Sequence, residues 1–280
     1  MLNGIILLDK EEGLTSRKID NKIQHLFNTK KVGHLGTLDP FATGLLVIGV
    51  NKGTKCLTYI DDSIKTYVAT LQLGKKTSTG DLTGDFIEEK ETKTLDIKEI
   101  KSTLDSFLGK SEQIPPMTSA IKINGQALYK IAHKGGEVER KARPIEIYSI
   151  KLLEYKDTRI TFEAEVSRGT YIRVLGEDVA EKLGTIGYLT SLRRTKVGNI
   201  SIEDSKKLDD LNEDDLHNPI DMISLPHYEL NDVEYQLALN GHKLGLKSRE
   251  DKLLLVHDDE CVAIYSKIDD GHYQAERGLF

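Results

Sequence analysis

Hydrophobic and polar positions in the first sixth of the chain predict a strand, a helix and a second apolar strand. Residues 5–10, IILLDK, form a short apolar run typical of a buried strand. A stretch with apolar residues at helical spacing follows, with Thr15 or Ser16 placed to cap its first turn. Its apolar positions are Ile19, Ile23, Leu26 and Phe27. A further apolar run, LLVIGV, occupies residues 45–50.

Alternating patterns are clearest in two later segments. In residues 66–73, Tyr67 and every second residue after it form the more apolar face, which predicts a strand. Residues 159–169, RITFEAEVSRG, alternate in the same way. They lead into a helical pattern with Gly184 as its stop signal, which places Arg173 in the first turn after a strand. Residues 97–108 also predict a helix.

The order of these elements predicts a main domain and a small C-terminal module. Strands interleaved with helices indicate a mixed α/β or α+β domain over residues 1–224. Within it, residues 110–143 combine Pro, Gly, Tyr and basic residues, which predicts a protruding surface element. Short apolar runs in residues 225–280 predict a β-rich module, too small to be stable without support from the main domain.

Composition narrows the class of protein. The 280 residues contain no apolar stretch of the ~20 residues that a membrane-spanning helix needs, and no basic leader with a cleavage site. Cys56 and Cys261 are far apart in sequence and form no CxxC pair, so neither a disulfide framework nor a thiolate metal site is indicated. We therefore expect a cytoplasmic protein that crosses no membrane.

Charge is segregated along the chain even though the net charge is −6. Between Lys110 and Arg143, seven Lys and Arg residues stand against three Glu, whereas between Glu203 and Asp221 eight acidic residues stand against two Lys. Arg193, Arg194 and Lys196 add a second basic block. Because local field matters more than net charge for attracting a polyanion, this pattern permits an RNA partner, although ordinary solvated surfaces are the commoner explanation of such charge runs.

Candidate chemistry centres on one carboxylate in a glycine-rich loop. Residues 33–46, GHLGTLDPFATGLL, contain three glycines and one aspartate, Asp39, which directly precedes a proline. Asp before Pro is usually a turn former, whereas several glycines in one loop allow close approach of a ligand. The chain has no HExxH or GxSxG motif, and residues 74–85 lack the P-loop pattern and predict a polar turn. Whether Asp39 is a turn former or a reagent stays open on these patterns alone.

Six blocks of the sequence, in order, resemble the bacterial tRNA pseudouridine-55 synthases of the TruB family. The blocks are GIILLDKEEGLTS, KKVGHLGTLDPFATGLL, KTYVATLQLG, QIPPMTSAIKINGQALY, RGTYIRVLGEDVAEKLG and YLTSLRRTKVG. The resemblance implies an α+β pseudouridine-synthase fold, in which helices flank a mixed, largely antiparallel central sheet. It also implies an RNA-clasping insertion at about 110–143, and a PUA-like RNA-binding domain over residues 225–280.

The resemblance also implies an activity and its residues. The family isomerises a uridine in the tRNA T-loop: the N1–C1′ bond breaks, the base turns and a C5–C1′ bond forms, with no cofactor and no metal. Asp39 corresponds to the essential carboxylate, which either adds to the uridine or acts on the ribose. Arg173 corresponds to its compensating cation, and Tyr67 to a tyrosine that stacks on the base.

Further residues match the family's RNA contacts. His34 corresponds to a histidine that enters the T-loop as the target base flips out, and Tyr171 and Leu192 to residues lining the pocket. Phosphate neutralisation is expected of basic residues in the insertion. These are Lys122, Lys130, Arg140, Lys141 and Arg143. The resemblance implies tRNA as the partner, and we expect a monomer without an obligate protein partner.

The match has departures, and two other hypotheses stay open. Leu35 stands where the family motif often has Thr, Ser78 where Asp is usual, and Ser167 lacks a neighbouring Cys. One alternative is a non-catalytic tRNA-folding chaperone that grips and releases the loop. The other is a related synthase guided by a separate RNA.

Overall fold

The structure, a computed structural model, describes residues 2–119, 121–123, 125–132 and 135–279. Residues 2–62 contain β1 (Gly4–Lys10), α1 (Ser16–Leu26), β2 (Val32–Leu35), β3 (Thr43–Val50) and α2 (Gly53–Cys56). The predicted N-terminal strand and helix are confirmed, and Thr15 is the N-cap: its side chain accepts a hydrogen bond from the Lys18 N–H. One prediction is wrong in detail, because Leu26, the last residue of α1, remains 48% exposed.

The described part of residues 63–197 contains a long series of strands and three helices. They are β4 (Ile64–Leu73), β5 (Lys75–Thr77), β6 (Phe86–Glu89), α3 (Ile97–Asp105), β7 (Gly109–Gln113), β8 (Lys122–Ile123), β9 (Gln126–Ala127), α4 (Leu128–Ala132), β10 (Arg143–Lys156), β11 (Arg159–Ser167), α5 (Ile172–Lys182) and β12 (Gly187–Val197). The predicted strands at 66–73 and 159–169 are confirmed as β4 and β11. Helix α3 ends three residues earlier than predicted, because the chain turns at Gly109, with φ of 94°, into β7.

Residues 198–279 contain the remaining elements. They are β13 (Ile200–Ser201), β14 (His227–Glu229), α6 (Asp232–Leu239), β15 (Leu244–Gly245), β16 (Lys252–His257), β17 (Glu260–Asp269) and β18 (His272–Gly278). The acidic stretch between β13 and β14 forms short 3₁₀ turns, of which one is closed by a capping box between Asn212 and Asp215. The five strands from β14 to β18 confirm the prediction of a β-rich C-terminal segment.

The chain divides into two compact units, the first made of residues up to Pro40, Gly44–Asp62 and from Gly198 onward. In this unit β3 pairs antiparallel with both β1 and β2, with Leu8 opposite Leu46 and His34 opposite Ile48. Helix α1 packs beside β2 and buries Ile19 and Ile23. The start of α1 is thereby held against the loop that contains Asp39.

The C-terminal sheet of the first unit has the order β14-β16-β17-β18-β15. Its β14–β16 pair is parallel and the others are antiparallel. One face packs against α6 around Leu255 and Tyr265. The other face buries Leu254 and Ile264 against Cys56 of α2, so the small sheet shares a core with residues outside the predicted module. The division into domains 1–224 and 225–280 stays a prediction.

The second unit consists of Phe41–Thr43 and Ser63–Val197. Its strands lie in the order β12-β4-β11-β10-β7, and neighbouring strands in this order run antiparallel. Helix α5 packs on β12 and β4. Gly176 permits this close approach, since a Cβ there would lie 2.9 Å from the Leu189 side chain and 3.4 Å from Leu71. A largely antiparallel sheet flanked by helices confirms the predicted α+β class.

Candidate active site

The backbone on both sides of Asp39 is held by the residues that lead into α1. The buried Ser16 hydroxyl lies 3.0 Å from the Leu38 nitrogen and 3.2 Å from the Leu38 carbonyl oxygen. The Pro40 carbonyl accepts hydrogen bonds from the Gly13 N–H at 2.8 Å and from the Lys10 ammonium at 3.2 Å. Asp39 itself is only half-buried. A carboxylate on a fixed backbone is thus within reach of solvent and of a ligand.

His34 is held in a fixed orientation on β2. Its Nδ1 lies 3.0 Å from both carboxylate oxygens of Asp20, which is buried on α1 and also lies 3.6 Å from Arg17. Its Nε2 lies 3.2 Å from the Thr37 hydroxyl. Since a carboxylate only accepts, Nδ1 carries a proton and donates to Asp20. The imidazole is therefore oriented beside the Asp39 loop by a carboxylate that sequence reasoning missed.

Loss of the Ser16 hydroxyl is expected to loosen the Asp39 loop. In Ser16→Ala, the buried Leu38 N–H and C=O both lose their partner, so the free energy of unfolding should fall by about 1–3 kcal/mol. Urea denaturation followed by circular dichroism measures this change, with Ser191→Ala, an exposed serine on β12, as control. Equal stability of the two variants would contradict the role of Ser16.

In the second unit, Tyr67 and Leu192 lie on the same face of the sheet. Tyr67 on β4 is buried, as predicted. Ala69, two residues later, is on the same face of β4, and Leu192 on β12 lies directly opposite Ala69. Arg194 is opposite Tyr67 and is 1% exposed, which makes it a buried cation next to the predicted stacking residue. The Arg-Arg pair appeared in the sequence only as part of a basic block. The burial of Arg194 depends on the β4–β12 register, which the sequence pattern does not specify.

Arg173 lies in the first turn of α5, as predicted, and is buried together with Asp81. Its guanidinium lies 3.4 Å from the Asp81 carboxylate and donates to the Thr79 carbonyl at 2.9 Å. It also donates to the Thr118 hydroxyl at 2.5 Å and carbonyl at 3.2 Å. Both charged side chains are about 5% exposed or less. Such a buried, multiply bonded ion pair holds the guanidinium in one orientation.

The loop that carries Asp81 is a polar turn, as predicted, and has a second role. The Asp81 carboxylate accepts hydrogen bonds from the Thr79 hydroxyl at 2.8 Å and the Thr83 N–H at 2.9 Å. The same carboxylate pairs with Arg173, which the sequence did not indicate. Burial raises the pKa of the Glu177 carboxyl, one turn further along α5 and packed against Gly80. The Arg173 guanidinium opposes this shift in the Glu177 pKa.

Tyr171 is positioned by a buried glutamine. The Gln113 side chain at the end of β7 accepts a hydrogen bond from the Tyr171 N–H at 2.8 Å and donates to its carbonyl at 3.1 Å. Gln113 is 5% exposed. This two-point contact satisfies both backbone groups of the residue that caps α5, so it fixes the start of the helix that carries Arg173.

The predicted basic residues of the insertion lie mostly on the surface. Lys122 on β8, Lys130 on α4, Lys141 and Arg143 are exposed. Arg140 donates to the Pro115 carbonyl at 3.0 Å and lies 3.6 Å from Glu137, so part of its charge is compensated. Ala120, Asn124, His133 and Lys134, which belong to the same predicted insertion, lie outside the described residues.

A cavity of about 270 Å³ connects three of these basic side chains. It is lined by Pro115, Ile121, Leu128, Glu139, Arg140, Lys141 and Arg143. Three cations against one carboxylate make this a net positive concave surface. It lies in the segment between β7 and β10, where the sequence predicted an RNA-clasping element.

Metal-binding clusters and membrane-spanning helices are both absent from the part of the chain that the structure describes. That part holds no group of three or more His, Cys, Asp or Glu side chains arranged to bind a metal ion. None of its helices combines the length and apolarity needed to span a membrane.

Comparison with known proteins yields consistent matches. Residues 24–172 match the TruB family pseudouridylate synthase N-terminal domain. The tRNA pseudouridine synthase B of Hydrogenovibrio crunogenus is 40% identical over 92% of this chain and 87% of its own. That of Bacillus pumilus is 36% identical over 95% of this chain and 94% of its own.

A solved structure supports the fold. The chain in the crystal structure of a Cbf5-Nop10-Gar1 complex aligns with a TM-score of 0.71 at 24% identity, over 99% of this chain and 85% of that one. This likeness confirms the predicted pseudouridine-synthase fold.

Proposed function

The chain belongs to the TruB family of pseudouridylate synthases, and from that premise we propose that it isomerises the T-loop uridine of tRNA to pseudouridine. The relatives named tRNA pseudouridine synthase B cover nearly the whole chain. The enzyme is an isomerase: every heavy atom of the uridine is retained in the product, and the hydrogen lost from C5 is matched by one gained at N1. The chain's own residues therefore have to bind the tRNA, extrude the base and move protons.

The observation that carries the proposal is the pair of backbone anchors around Asp39. A turn former needs only local hydrogen bonds, but here Ser16 holds Leu38 and Gly13 and Lys10 hold Pro40. Hydrogen bonds to the residues before and after Asp39 fix the position of its backbone, as a catalytic group requires. We assign Asp39 as the essential carboxylate. It either adds to the uridine or acts on the ribose, and both routes need it ionised.

Arg173 and Tyr67 complete the proposed catalytic set. Once bound tRNA covers the half-buried Asp39, its carboxylate needs a nearby cation to stay ionised, and we assign this role to Arg173, whose guanidinium Asp81 orients. Tyr67 provides an aromatic ring for stacking on the flipped uracil, a contact worth about 1–3 kcal/mol per base. Tyr171 and Leu192 line the pocket. Its walls then exclude water while the glycosidic bond is broken and remade.

Binding of tRNA supplies the energy for base flipping. A stacked uridine is out of reach of Asp39, so unstacking has to be offset by new contacts. His34, oriented by Asp20, occupies the space that the base leaves. The exposed cations Lys122, Lys130, Lys141 and Arg143, together with Arg140, neutralise phosphates. The C-terminal module adds RNA contacts as a PUA-like domain.

The basic cavity between β7 and β10 provides a test of tRNA binding. Replacing Lys141 and Arg143 together with Ala should weaken tRNA binding and reduce the slope of log affinity against log salt by about 0.7–0.9 for each phosphate that is no longer neutralised. Filter binding at several salt concentrations measures the slope. The matched control is the double variant Lys98→Ala, Lys101→Ala, which removes two exposed lysines from α3. An unchanged slope in the first double variant would place the phosphate contacts elsewhere.

We propose that the enzyme works in the cytoplasm as a monomer, without a guide RNA, an obligate protein partner, a cofactor or a metal. The 40% identity to a relative named tRNA pseudouridine synthase B supports direct action on tRNA over the guided alternative. Formation of the C5–C1′ bond expels the C5 proton. Purified protein should therefore release tritium from tRNA labelled at uridine C5, and no release would contradict the proposal.

A further inference from the structure

Cys56 and Cys261, which are far apart in sequence, meet in the first unit. Cys56 ends α2 and is buried, and Cys261 is the second residue of β17, directly after a tight hairpin turn, and is half-buried. Both pack in the cluster that contains Leu254 and Ile264. The two thiols are neighbours, and each acts on the other's pKa as a hydrogen-bonding partner. Sequence spacing does not indicate this pair, because it matches no cysteine motif.

A cavity gives small molecules a route to the two sulfurs. It has a volume of about 380 Å³ and both cysteines line it, together with Lys52 and Glu260, which form an ion pair at 3.1 Å. The Cys56 Sγ also lies 3.8 Å from the Lys52 carbonyl oxygen. A molecule as small as hydrogen peroxide fits this space easily. Larger disulfide reagents have much poorer access to Cys56, which is 1% exposed.

Electrostatic surroundings distinguish the two thiols. The hydrogen bond from Cys261 lowers the pKa of Cys56, and the positive charges of Arg277 and Lys55 lower it further, against the effect of burial. The hydrogen bond to Cys56 and burial raise the pKa of Cys261, with added contributions from Asp221 and Glu260. Cys56 is therefore the thiol of the pair that loses its proton more readily, and the thiolate is the form that reacts with peroxides.

We propose that Cys56 and Cys261 are a redox modification site, at which hydrogen peroxide converts the two thiols into an intramolecular disulfide. The Cys56 thiolate attacks a peroxide oxygen: an S–O bond forms, the O–O bond breaks and hydroxide leaves. The Cys261 sulfur then attacks the Cys56 sulfur, so that the S–S bond forms and the S–O bond breaks. The Cys261 proton leaves with the second hydroxide as water. The hydroxide released in the first step takes up the proton that Cys56 lost on forming its thiolate, so one peroxide is reduced to two waters as two thiols are oxidised.

The disulfide would tie α2 to the C-terminal sheet. These two elements already share a hydrophobic core, so the bond adds a covalent link across a long loop of chain. The oxidised protein should unfold at a higher temperature than the reduced protein. An unchanged midpoint would contradict this consequence of the link.

Intact-mass spectrometry of the full chain tests the proposal. Reduced protein is treated with hydrogen peroxide, quenched with catalase, unfolded and alkylated with N-ethylmaleimide. We expect the wild type to lose two hydrogens, to take up no maleimide, and to recover both thiols after dithiothreitol. A crosslinked peptide should join the segments around the two cysteines. Two alkylated thiols, or oxygen added to Cys56 without a crosslink, would overturn the proposal.

Single variants test the assigned order of reaction. In Cys261→Ser, Cys56 should still react and gain oxygen as sulfenic and then sulfinic acid, because no second thiol is left to resolve it. In Cys56→Ala, Cys261 should stay a free thiol and take up one maleimide. Circular dichroism checks that both variants fold. If either does not, the intact-mass experiment on the wild type still tests the disulfide. Rapid oxidation of Cys261 in Cys56→Ala would overturn the role of Cys56 as the reacting thiolate.

Discussion

Asp39→Asn is expected to lower the rate of pseudouridine formation by at least about 10³-fold, while tRNA affinity stays near that of the wild type. Asparagine keeps the size of the side chain and is as well suited to a turn as aspartate. It carries no charge and is a far poorer base and nucleophile. Single-turnover tritium release from C5-labelled tRNA measures the chemical step, and filter binding measures affinity.

The same substitution separates the enzyme from the chaperone hypothesis. A protein that only grips and releases the T-loop should tolerate Asp39→Asn, because Ser16, Gly13 and Lys10 still hold the backbone on either side. Glu12→Gln is the matched control, since it removes an exposed carboxylate from the same unit. A rate for Asp39→Asn close to that of Glu12→Gln would return Asp39 to the role of a turn former.

Arg173→Met is expected to damage both stability and activity. The substitution leaves the buried Asp81 carboxylate without its cation, which costs about 3–5 kcal/mol of unfolding free energy. Activity should also fall, by about 10²–10³-fold, because the cation proposed to compensate Asp39 is lost. Urea denaturation and single-turnover tritium release measure the two effects. Arg159→Met, an exposed arginine at the start of β11, controls for the change in side chain.

A second substitution separates the two roles of Arg173. Adding Asp81→Asn to Arg173→Met removes the unpaired buried charge, so most of the lost stability should return. Activity should not return, because the cation proposed to compensate Asp39 is still absent. Recovery of activity together with stability would show that Arg173 serves the fold alone.

Local sequence patterns predicted the elements well because their causes are local. The alternation around Tyr67 reflects a strand with one more deeply buried face, and β4 has that face. The apolar spacing after Tyr171 reflects a helix that packs on a sheet, and α5 packs on β12 and β4. Placing Arg173 in the first turn of this helix needed only the position of the strand before it.

The supporting contacts of the candidate site could not be predicted in the same way. Asp81 meets Arg173, Gln113 holds Tyr171 and Cys56 meets Cys261, in each case across a long separation in sequence. Such contacts depend on strand order and register, which one sequence does not encode in any local pattern. The Thr-rich loop before Asp81 was interpretable as a turn, but its role in orienting a guanidinium depends on where α5 packs.

Mapping pseudouridine in an unmodified tRNA transcript tests the central claim most directly. The purified chain is incubated with the transcript without metal, nucleotide or guide RNA, and pseudouridine is located by chemical labelling and primer extension. We predict modification of a single T-loop uridine, approaching one per tRNA. Tight binding of the transcript without any pseudouridine, or modification that appears only when a guide RNA is added, would contradict the account.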